Sequence, residues 1–431
     1  MKIKGKDLSP VRMAKDLWSL FSSDSLFRNS VYLMLSTGMM AGFGFIFWVI
    51  TTRFYDSEQI GFATALISIT VVISSWGQFG LNSALVRYLV QSKNPNRVMN
   101  TALTIVSITT ATASIIYLAG IDYFTPSFHM LVENPLYAIL FILFMIAVSL
   151  NSLTDSIFVA YRLAKYNLIV YTLFGFTKIA LPLFLIALGS YGIFFSYTGA
   201  VIVSLFLSIF FMVRKFDYRA QIVIERDFVK RATRFSLATY AAGFIASLPG
   251  YLAPVFIINT LGAKESAYFY MASTIAALLY IIPQAISQSL FAEGSFQEKD
   301  FATFVKRAIK FIIIFLVPAI IFVLLFGKYV LLIFGAEYSA NSYQLLQVMS
   351  LISIFMAITL IGSTILKIKH RMKEYIAVCT AYSVCNVCLM YILAPLYGTL
   401  GIAWALLGGQ AFLSLCFIVM FRRQLARAFL R

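Results

Sequence analysis

Long runs of residues without a charged side chain recur along the whole sequence, and the longest, Tyr375–Phe421, has 47 residues. The chain is 61% hydrophobic and 12% charged, whereas a soluble domain has roughly 25% charged residues. A helix that spans a bilayer needs about 20 apolar residues, and a backbone crosses hydrocarbon only as a helix or a closed barrel. The runs therefore predict an all-α integral membrane protein.

Two turn sequences divide the two longest stretches, GSYG at 189–192 and APLYG at 394–398. With these divisions we predict twelve transmembrane helices. They lie within the stretches 29–52, 59–86, 98–121, 134–161, 166–213, 235–263, 266–292, 311–327, 338–366 and 375–421.

The segment Arg214–Arg234 separates the first six predicted helices from the last six. It contains seven Lys or Arg residues and three acidic residues, and we interpret it as a cytoplasmic joint between two six-helix lobes. The predicted organisation is then a basic amphipathic N-terminal segment at 1–28, lobes at 29–213 and 235–421, the joint at 214–234, and a basic tail at 422–431.

The distribution of basic residues predicts the orientation of the chain, because cytoplasmic loops carry an excess of Lys and Arg. With the N-terminus inside, 30 of the 34 Lys and Arg residues lie on the inner side, three lie outside and Lys178 lies in the membrane. Both termini are therefore predicted to be cytoplasmic. The net charge of +17 then reflects topology and contact with anionic membrane lipids, and we do not expect a nucleic acid partner.

The two halves resemble one another in two separate places. TTRFYDSEQIGFATAL at 51–66 matches NTLGAKESAYFYMASTI at 259–275, which aligns Glu58 with Glu265 at an offset of 207 residues. The match between 191–200 and 400–409 has an offset of 209. A nearly constant offset predicts an internal repeat, and six helices per half make the two copies parallel. Chance similarity between apolar segments is the alternative.

Two ionisable residues interrupt the apolar stretches of the first half. Lys178 lies near the middle of the fifth predicted helix, and Asp155 lies toward the inner end of the fourth. An ionised group in hydrocarbon costs about 2.5–3.5 kcal/mol or more, so it normally faces a bundle interior or a wet cavity. One interpretation is that Lys178 lines a central cavity and binds an anionic headgroup. The other is a structural ion pair between Lys178 and Asp155.

Other polar residues could line the same cavity. Arg53 and Arg87 lie at opposite ends of the first and second predicted helices, where each could contact a phosphate or simply anchor its helix at the interface. Gln78 and Asn82 are four residues apart on the second predicted helix, so we expect them to share an inward face.

The seventh predicted helix contains the sequence SLPGYLAP, with Pro249 and Gly250 near mid-membrane and Pro254 one turn later. Proline removes backbone hydrogen bonds from a helix and kinks it. The kink could act as a gate, or it could be a static bend that improves packing.

No sequence pattern predicts an enzyme, a metal site or a cofactor. The sequence has no phosphate-binding GxxxxGK[ST] loop. The longest outer loop offers only Asp122, His129 and Glu133, which is too little for glycan polymerisation chemistry. Cys385 and Cys388 form a CxxC pair without a second pair or a nearby His, so a zinc site is not expected. We therefore predict no catalytic residues.

Four motifs resemble the polysaccharide-transporter branch of the multidrug/oligosaccharidyl-lipid/polysaccharide exporter superfamily. They are YDSEQIGFATAL at 55–66, GQFGLNSALVRYL at 77–89, FGAEYSANSYQLL at 334–346 and PLYGTLGIAWA at 395–405. The resemblance implies two six-helix lobes in a V shape that alternate between inward-open and outward-open states. It also implies a lipid-linked oligosaccharide as substrate, polysaccharide assembly proteins as partners, and a basic cavity residue that holds the lipid pyrophosphate. Lys178 is placed for that role, with Arg53 and Arg87 as weaker candidates.

We therefore predict a cell-membrane flippase that moves a lipid-pyrophosphate-linked oligosaccharide from the inner to the outer leaflet for cell-surface polysaccharide synthesis. The alternative is an exporter that exchanges an amphipathic cation for Na⁺ or H⁺, with Asp155 as the coupling site. A cationic cavity would favour the flippase, and an acidic pocket would favour the exporter.

Overall fold

The computed structural model describes residues 25–296, 301–369 and 371–429. Most of the predicted N-terminal segment 1–28 lies outside these residues. No strand occurs within the described ranges, so the all-α prediction is confirmed there. The main helices are α1 (Ser25–Phe54), α2 (Ser57–Gln78), α3 (Leu81–Tyr88), α4 (Pro95–Ala119), α5 (Pro135–Ala160), α6 (Ala164–Phe184), α7 (Ser190–Phe216), α8 (Arg226–Thr260), α9 (Ala263–Phe296), α10 (Phe301–Leu332), α11 (Ala336–Ile368) and α12 (Met372–Phe429).

Eleven helices in the described part of the chain are long and apolar enough to cross a membrane, namely all of these except the short α3. The apolar part of α12 extends over 50 residues and is interrupted at Gly398, whose φ and ψ are 57° and −139°. The chain is therefore a multi-pass membrane protein, and the predicted break at APLYG coincides with a non-helical residue.

Local chemistry explains where several helices begin. The Asp56 carboxylate caps α2 by accepting a 2.8 Å hydrogen bond from the Gln59 amide. Such a cap satisfies one of the amide groups left without a partner in the first turn. Pro95 and Pro135 open α4 and α5, where the missing N–H of proline has no consequence.

The second predicted helix, 59–86, is not continuous in the structure. It ends at Gln78, and the next two residues, Phe79 and Gly80, have φ angles of 46° and 74°. A positive φ cannot continue a right-handed helix, so the chain turns and restarts as α3. Gln78 and Asn82 therefore lie on different helices, and the expectation that they share one helix face is wrong.

The predicted joint 214–234 is largely helical, because α7 extends to Phe216 and α8 begins at Arg226. Only the nine residues 217–225, called the strap below, are non-helical. The basic residues on either side of the strap extend α7 and α8 beyond their apolar parts.

The strap is fixed to α4 by hydrogen bonds. The Asn100 side-chain oxygen accepts from the Gln221 amide and from the Tyr218 hydroxyl, both at 2.9 Å. The Thr101 hydroxyl accepts from the Glu225 amide at 2.8 Å. Burial raises the pKa of Tyr218 above its usual value of 10.0, so its hydroxyl stays protonated and able to donate. The strap is thus part of the first half of the molecule.

The first half (25–216) and the second half (226–429) meet mainly through α2, which packs against α8 and α9. Near the beginning of α2, a Cβ on Gly61 would lie 1.7 Å from the Ala263 carbonyl oxygen. Only glycine allows the two backbones to approach so closely. This contact lies at the end of the bundle that carries the turns 55–56, 261–262 and 333–335, called the distal end below. The opposite end, which carries the strap, is called the joint end.

Two turns at the distal end have the same backbone conformation. Gly189, between α6 and α7, has φ 53° and ψ −132°, close to the values of Gly398. Three residues later, a Cβ on Gly192 would lie 2.1 Å from the Leu185 carbonyl oxygen, and a Cβ on Gly401 would lie 2.1 Å from that of Leu393. Gly189 and Gly398 are 209 residues apart, the offset of the sequence match between 191–200 and 400–409.

Candidate functional site

A cavity of about 730 Å³ lies between α2 of the first half and four helices of the second half, α8, α9, α11 and α12. None of the described residues that line it is Lys, Arg, His, Asp or Glu. Its polar groups are amides and hydroxyls that project from an apolar wall. They include Ser68, Tyr280, Gln284, Thr359, Tyr382 and Gln410.

Hydrogen bonds hold several of these polar groups in place. The Gln410 amide nitrogen donates to the Thr359 hydroxyl at 2.9 Å, and the Tyr280 hydroxyl donates to the Met349 carbonyl at 3.0 Å. The Gln284 side chain is exposed to the cavity. An amide both donates and accepts hydrogen bonds. The cavity is therefore suited to an uncharged ligand that carries hydroxyl or amide groups.

Two of the three gating candidates line this cavity. Gly250 and Pro254 are in its wall, and Pro249 is buried beside them. The helix α8 passes through both prolines from Arg226 to Thr260. A Cβ on Gly250 would have no atom within 4 Å, so open space adjoins the helix at this point. The gating role stays a prediction.

Lys178 is 8% exposed and lies in a cage of aromatic rings from α1, α6 and α7. Its ammonium is 4.3 Å from the ring centre of Phe47, 5.3 Å from Tyr197 and 5.6 Å from Phe174. A desolvated cation over an aromatic face gains about 2 kcal/mol. The described acidic groups form no ion pair with Lys178, so the alternative pair with Asp155 is not formed.

Lys178 is absent from the wall of the cavity but lies close to it. The Phe47 ring, which covers the ammonium, is 4.8 Å from the Trp48 ring. The Trp48 ring is 4.9 Å from that of Tyr270, which lines the cavity. A short chain of rings thus separates the lysine from the cavity.

Asp155 lies in the first half, in a different place from the cavity. Its Oδ2 accepts a 2.7 Å hydrogen bond from the Tyr171 hydroxyl, and its backbone carbonyl accepts one from the Asn167 amide at 3.3 Å. Asp155 therefore belongs to an interface between α5 and α6.

The remaining candidates lie at the ends of helices. The exposed Arg53 donates to the Ile333 carbonyl at 3.0 Å, which joins the two halves at the distal end. Arg87 is exposed at the end of α3, with its guanidinium 5.5 Å from the Tyr88 ring centre. Gln78 is buried, and the Asn82 oxygen accepts from the Ser83 amide at 2.8 Å.

Sequence reasoning missed Glu337, which connects the two halves at the distal end. Its carboxylate accepts hydrogen bonds from the Ser57 hydroxyl, at 2.9 Å, and from the Tyr268 hydroxyl. Both Ser57 and Glu337 lie in motifs that carry the family resemblance, but nothing in either motif indicates that the two residues meet.

Comparison with known proteins identifies related sequences. The family described as "Polysaccharide biosynthesis protein" matches residues 26–291. A Shigella flexneri protein named "Putative O-antigen transporter" is 28% identical over 171 residues, which are 38% of this chain and 41% of that protein. The match thus spans less than half the length of this relative.

Two solved structures share the fold of the chain. An inward-facing multidrug resistance MATE family transporter of the MOP superfamily has a TM-score of 0.72 and 16% identity, with 93% of this chain and 98% of that chain covered. The lipid II flippase MurJ, in an inward closed conformation, has a TM-score of 0.72 and 15% identity, with 91% and 87% covered. At these identities the similarity concerns the fold.

Proposed function

The chain belongs to the polysaccharide biosynthesis protein family, and from that premise we propose that it is a flippase for a lipid-pyrophosphate-linked oligosaccharide. The family match covers more than half of the chain and confirms the resemblance to the polysaccharide-transporter branch. The proposed reaction moves the headgroup from the inner to the outer leaflet of the cell membrane, without a covalent step.

The proposed topology has twelve spans in two six-helix lobes related by a parallel repeat. The break at Gly398 supports the twelfth span, because it divides 50 apolar residues into two segments that are each long enough to cross a bilayer. The matching turns at Gly189 and Gly398 support the repeat. The excess of basic residues supports a cytoplasmic position for the joint end and both termini, and in this topology the distal end faces outward.

The single observation that carries this proposal is the uncharged polar cavity. A glycan cannot cross hydrocarbon without replacing its hydrogen bonds to water, and the amides and hydroxyls of the cavity offer such bonds. The aromatic side chains in the wall suit the apolar faces of sugar rings. The residues that line the cavity include neither the acidic groups expected of an exporter of amphipathic cations nor the basic groups expected of a flippase, so its charge does not separate the two functions.

In this mechanism Lys178 binds the pyrophosphate. Its aromatic cage holds a positive charge without a neutralising carboxylate, one short chain of rings away from the cavity. Rotation of the Trp48 and Tyr270 rings would open a path between the glycan and the ammonium. With an inside-negative potential, outward movement of the anion is favoured by about 2.3 kcal/mol per charge per 100 mV.

Alternating access would open and close the distal end. The bond from Ser57 to Glu337 and the bond from Arg53 to the Ile333 carbonyl cross between the halves and close this end in the present conformation. Opening the distal end to the outside requires that these bonds break. The two halves stay together at the joint end during this movement. Such rocking changes which leaflet the cavity faces.

The test is a flipping assay in liposomes that contain a fluorescent undecaprenyl-pyrophosphate oligosaccharide, whose accessibility to an external quencher is followed over time. Gln410→Leu and Gln284→Leu remove hydrogen-bonding groups from the cavity and are expected to slow flipping at least tenfold. Gln91→Leu, at an exposed position outside the cavity, is the matched control. Wild-type rates in both cavity variants would refute the proposed site, and export of an amphipathic cation without glycan flipping would favour the exporter.

A further inference from the structure

Residues 219–225 of the strap bind α4 through one edge of their backbone. The side chains of Asn96, Asn100 and Thr101 form hydrogen bonds with the N–H or C=O groups of every second residue. These residues are Arg219, Gln221, Val223 and Glu225. In an extended chain the N–H and C=O groups of successive residues point to opposite edges. The period of two therefore indicates that this part of the strap is extended, like a single β-strand with one edge covered by α4.

The opposite edge of the strap is open. It carries the N–H and C=O groups of Ala220, Ile222 and Ile224, which form no hydrogen bond to any described residue. The side chains of Ile222 and Ile224 are 94% and 55% exposed. A strand edge with unpaired backbone groups and exposed apolar side chains is a template for pairing with another extended chain. The open edge is thus available to a partner.

Basic side chains surround the open edge. Six exposed ones lie in the strap or in the adjoining turns of α7 and α8, namely Arg214, Lys215, Arg219, Arg226, Lys230 and Arg231. The stretch 214–234 contains seven basic and three acidic residues, an excess of four positive charges. One of the three acids, Glu225, is already paired with Arg97 on α4. A concentrated positive charge attracts anionic partners, so the open edge suits a partner that is both extended and acidic.

The open backbone groups favour a peptide over the other anions of a membrane surface. An anionic lipid headgroup neutralises basic side chains, but it does not present alternating donors and acceptors at the spacing of a strand. An extended peptide presents N–H and C=O groups at that spacing and can add to an open edge. A second copy of this chain also has a strap, but it would bring the same excess of positive charge to the contact, and like charges repel.

We propose that the open edge of the strap binds an acidic, extended segment of a cytoplasmic protein, which pairs with it as an added strand. Each of the three open N–H groups and three open C=O groups then has a partner. Because side chains alternate between the two faces of a strand, apolar residues of the segment pack beside Ile222 and Ile224. Its acidic residues lie on the face of Arg219. The cytoplasmic side rests on the proposed topology, whereas the docking edge does not depend on what the chain transports.

The test uses a fluorescent synthetic peptide of eight residues in which Glu and Val alternate, and full-length protein in phosphatidylcholine nanodiscs. Fluorescence anisotropy should show saturable binding of one peptide per chain, and a peptide with Lys in place of Glu should not bind. Two further peptides carry N-methyl groups on all Val or on all Glu nitrogens, so each has one of its two edges blocked. One of the two should lose binding and the other should keep it, because only one edge of the peptide faces the strap.

A substitution in the strap tests the same edge from the side of the protein. Ile222→Pro removes an N–H group that has no described partner, and none of the bonds between the strap and α4 involves this residue. It should weaken peptide binding about tenfold or more, because proline removes a donor from the open edge and its ring obstructs pairing. Ile222→Ala, which keeps the N–H group, is the matched control and should retain most of the affinity.

Three results would overturn the proposal. The first is absence of saturable binding to folded wild-type protein, and the second is equal binding of the two N-methylated peptides or equal affinity of the Ile222→Pro and Ile222→Ala variants. The third is loss of peptide binding in nanodiscs that contain phosphatidylglycerol, which would assign the basic surface to the membrane. A dimer of the chain that Ile222→Pro dissociates would also overturn it, because the occupant of the edge would then be a second copy. The flipping assay is independent of all these results.

Discussion

The closest approach of the two halves predicts the effect of a single methyl group. In Gly61→Ala the new Cβ would lie 1.7 Å from the Ala263 carbonyl oxygen. Non-bonded carbon and oxygen atoms require at least about 3 Å, so α2 and α9 must separate by about 1.3 Å. The obstacle is a backbone atom, and no side-chain rotation relieves the clash. The two halves must therefore move apart at the distal end.

The cost falls on the conformation that is closed at this end. Overpacking of this kind costs about 1–3 kcal/mol. A conformation in which the distal end is open has no such clash and is not destabilised. If the closed conformation is destabilised by about 1–3 kcal/mol relative to the open one, the ratio of open to closed molecules increases about 5- to 150-fold. Gly61→Ala should therefore favour an outward-open state.

Distances between spin labels measure this shift. Tyr123 of the first half and Tyr329 of the second half are 93% and 67% exposed, and both lie at the distal end. With the four native cysteines replaced by serine and labels at these positions, Gly61→Ala should transfer population to longer distances. Gly42→Ala is the control, because a Cβ there has no atom within 4 Å. An unchanged distance distribution in folded Gly61→Ala protein would refute the reasoning.

Two further substitutions test the contacts between the halves and the buried cation. Glu337→Ala removes the acceptor of the hydrogen bond from Ser57, which joins the two halves at the distal end and is worth about 1.5–3 kcal/mol for a charged acceptor. It should raise the long-distance population of the same labels, whereas Glu58→Ala, at an exposed acid nearby, should not. Lys178→Gln should lower the glycan flipping rate at least tenfold in liposomes, because it removes the charge proposed to hold the pyrophosphate. Lys165→Gln, at an exposed lysine on the same helix, should flip at the wild-type rate, and equal rates in both lysine variants would exclude Lys178 from the mechanism.

The helical fold could be predicted from the sequence because it depends on local properties. Uncharged stretches of 20 or more residues predict spanning helices, because a backbone group exposed to lipid without a hydrogen bond is costly. The glycines of GSYG predicted the turn at 189–192. The break after Gln78 was missed because Phe79, which has a positive φ, is not a residue that favours one. Gly80 alone inside an apolar stretch is a weak signal for a helix end.

The site was harder to predict because its parts come from distant positions. The sequence singles out Lys178 by its charge, but not Phe47, which lies 131 residues earlier and covers the ammonium. A cavity was predicted, but most of the residues that line it were not, for a different reason. Its polar groups are uncharged amides and hydroxyls, and such residues occur throughout the apolar helices without standing out. Glu337 and Ser57 are 280 residues apart, and nothing local to either residue indicates the contact.

The strap determines which part of the joint can bend. If the joint were free, the halves could rotate about any residue between α7 and α8. The hydrogen bonds from Asn100 and Thr101 to the strap make it move with the first half as far as Glu225, whose carboxylate also pairs with Arg97 at 3.3 Å. The beginning of α8 also belongs to the first half, because Phe228 and Ala232 lie in a buried cluster with first-half residues. Rotation between the halves must then occur within α8, after Ala232. Because α8 continues from there to Pro249, Gly250 and Pro254, the helix that receives this rotation is also the one that forms a wall of the cavity.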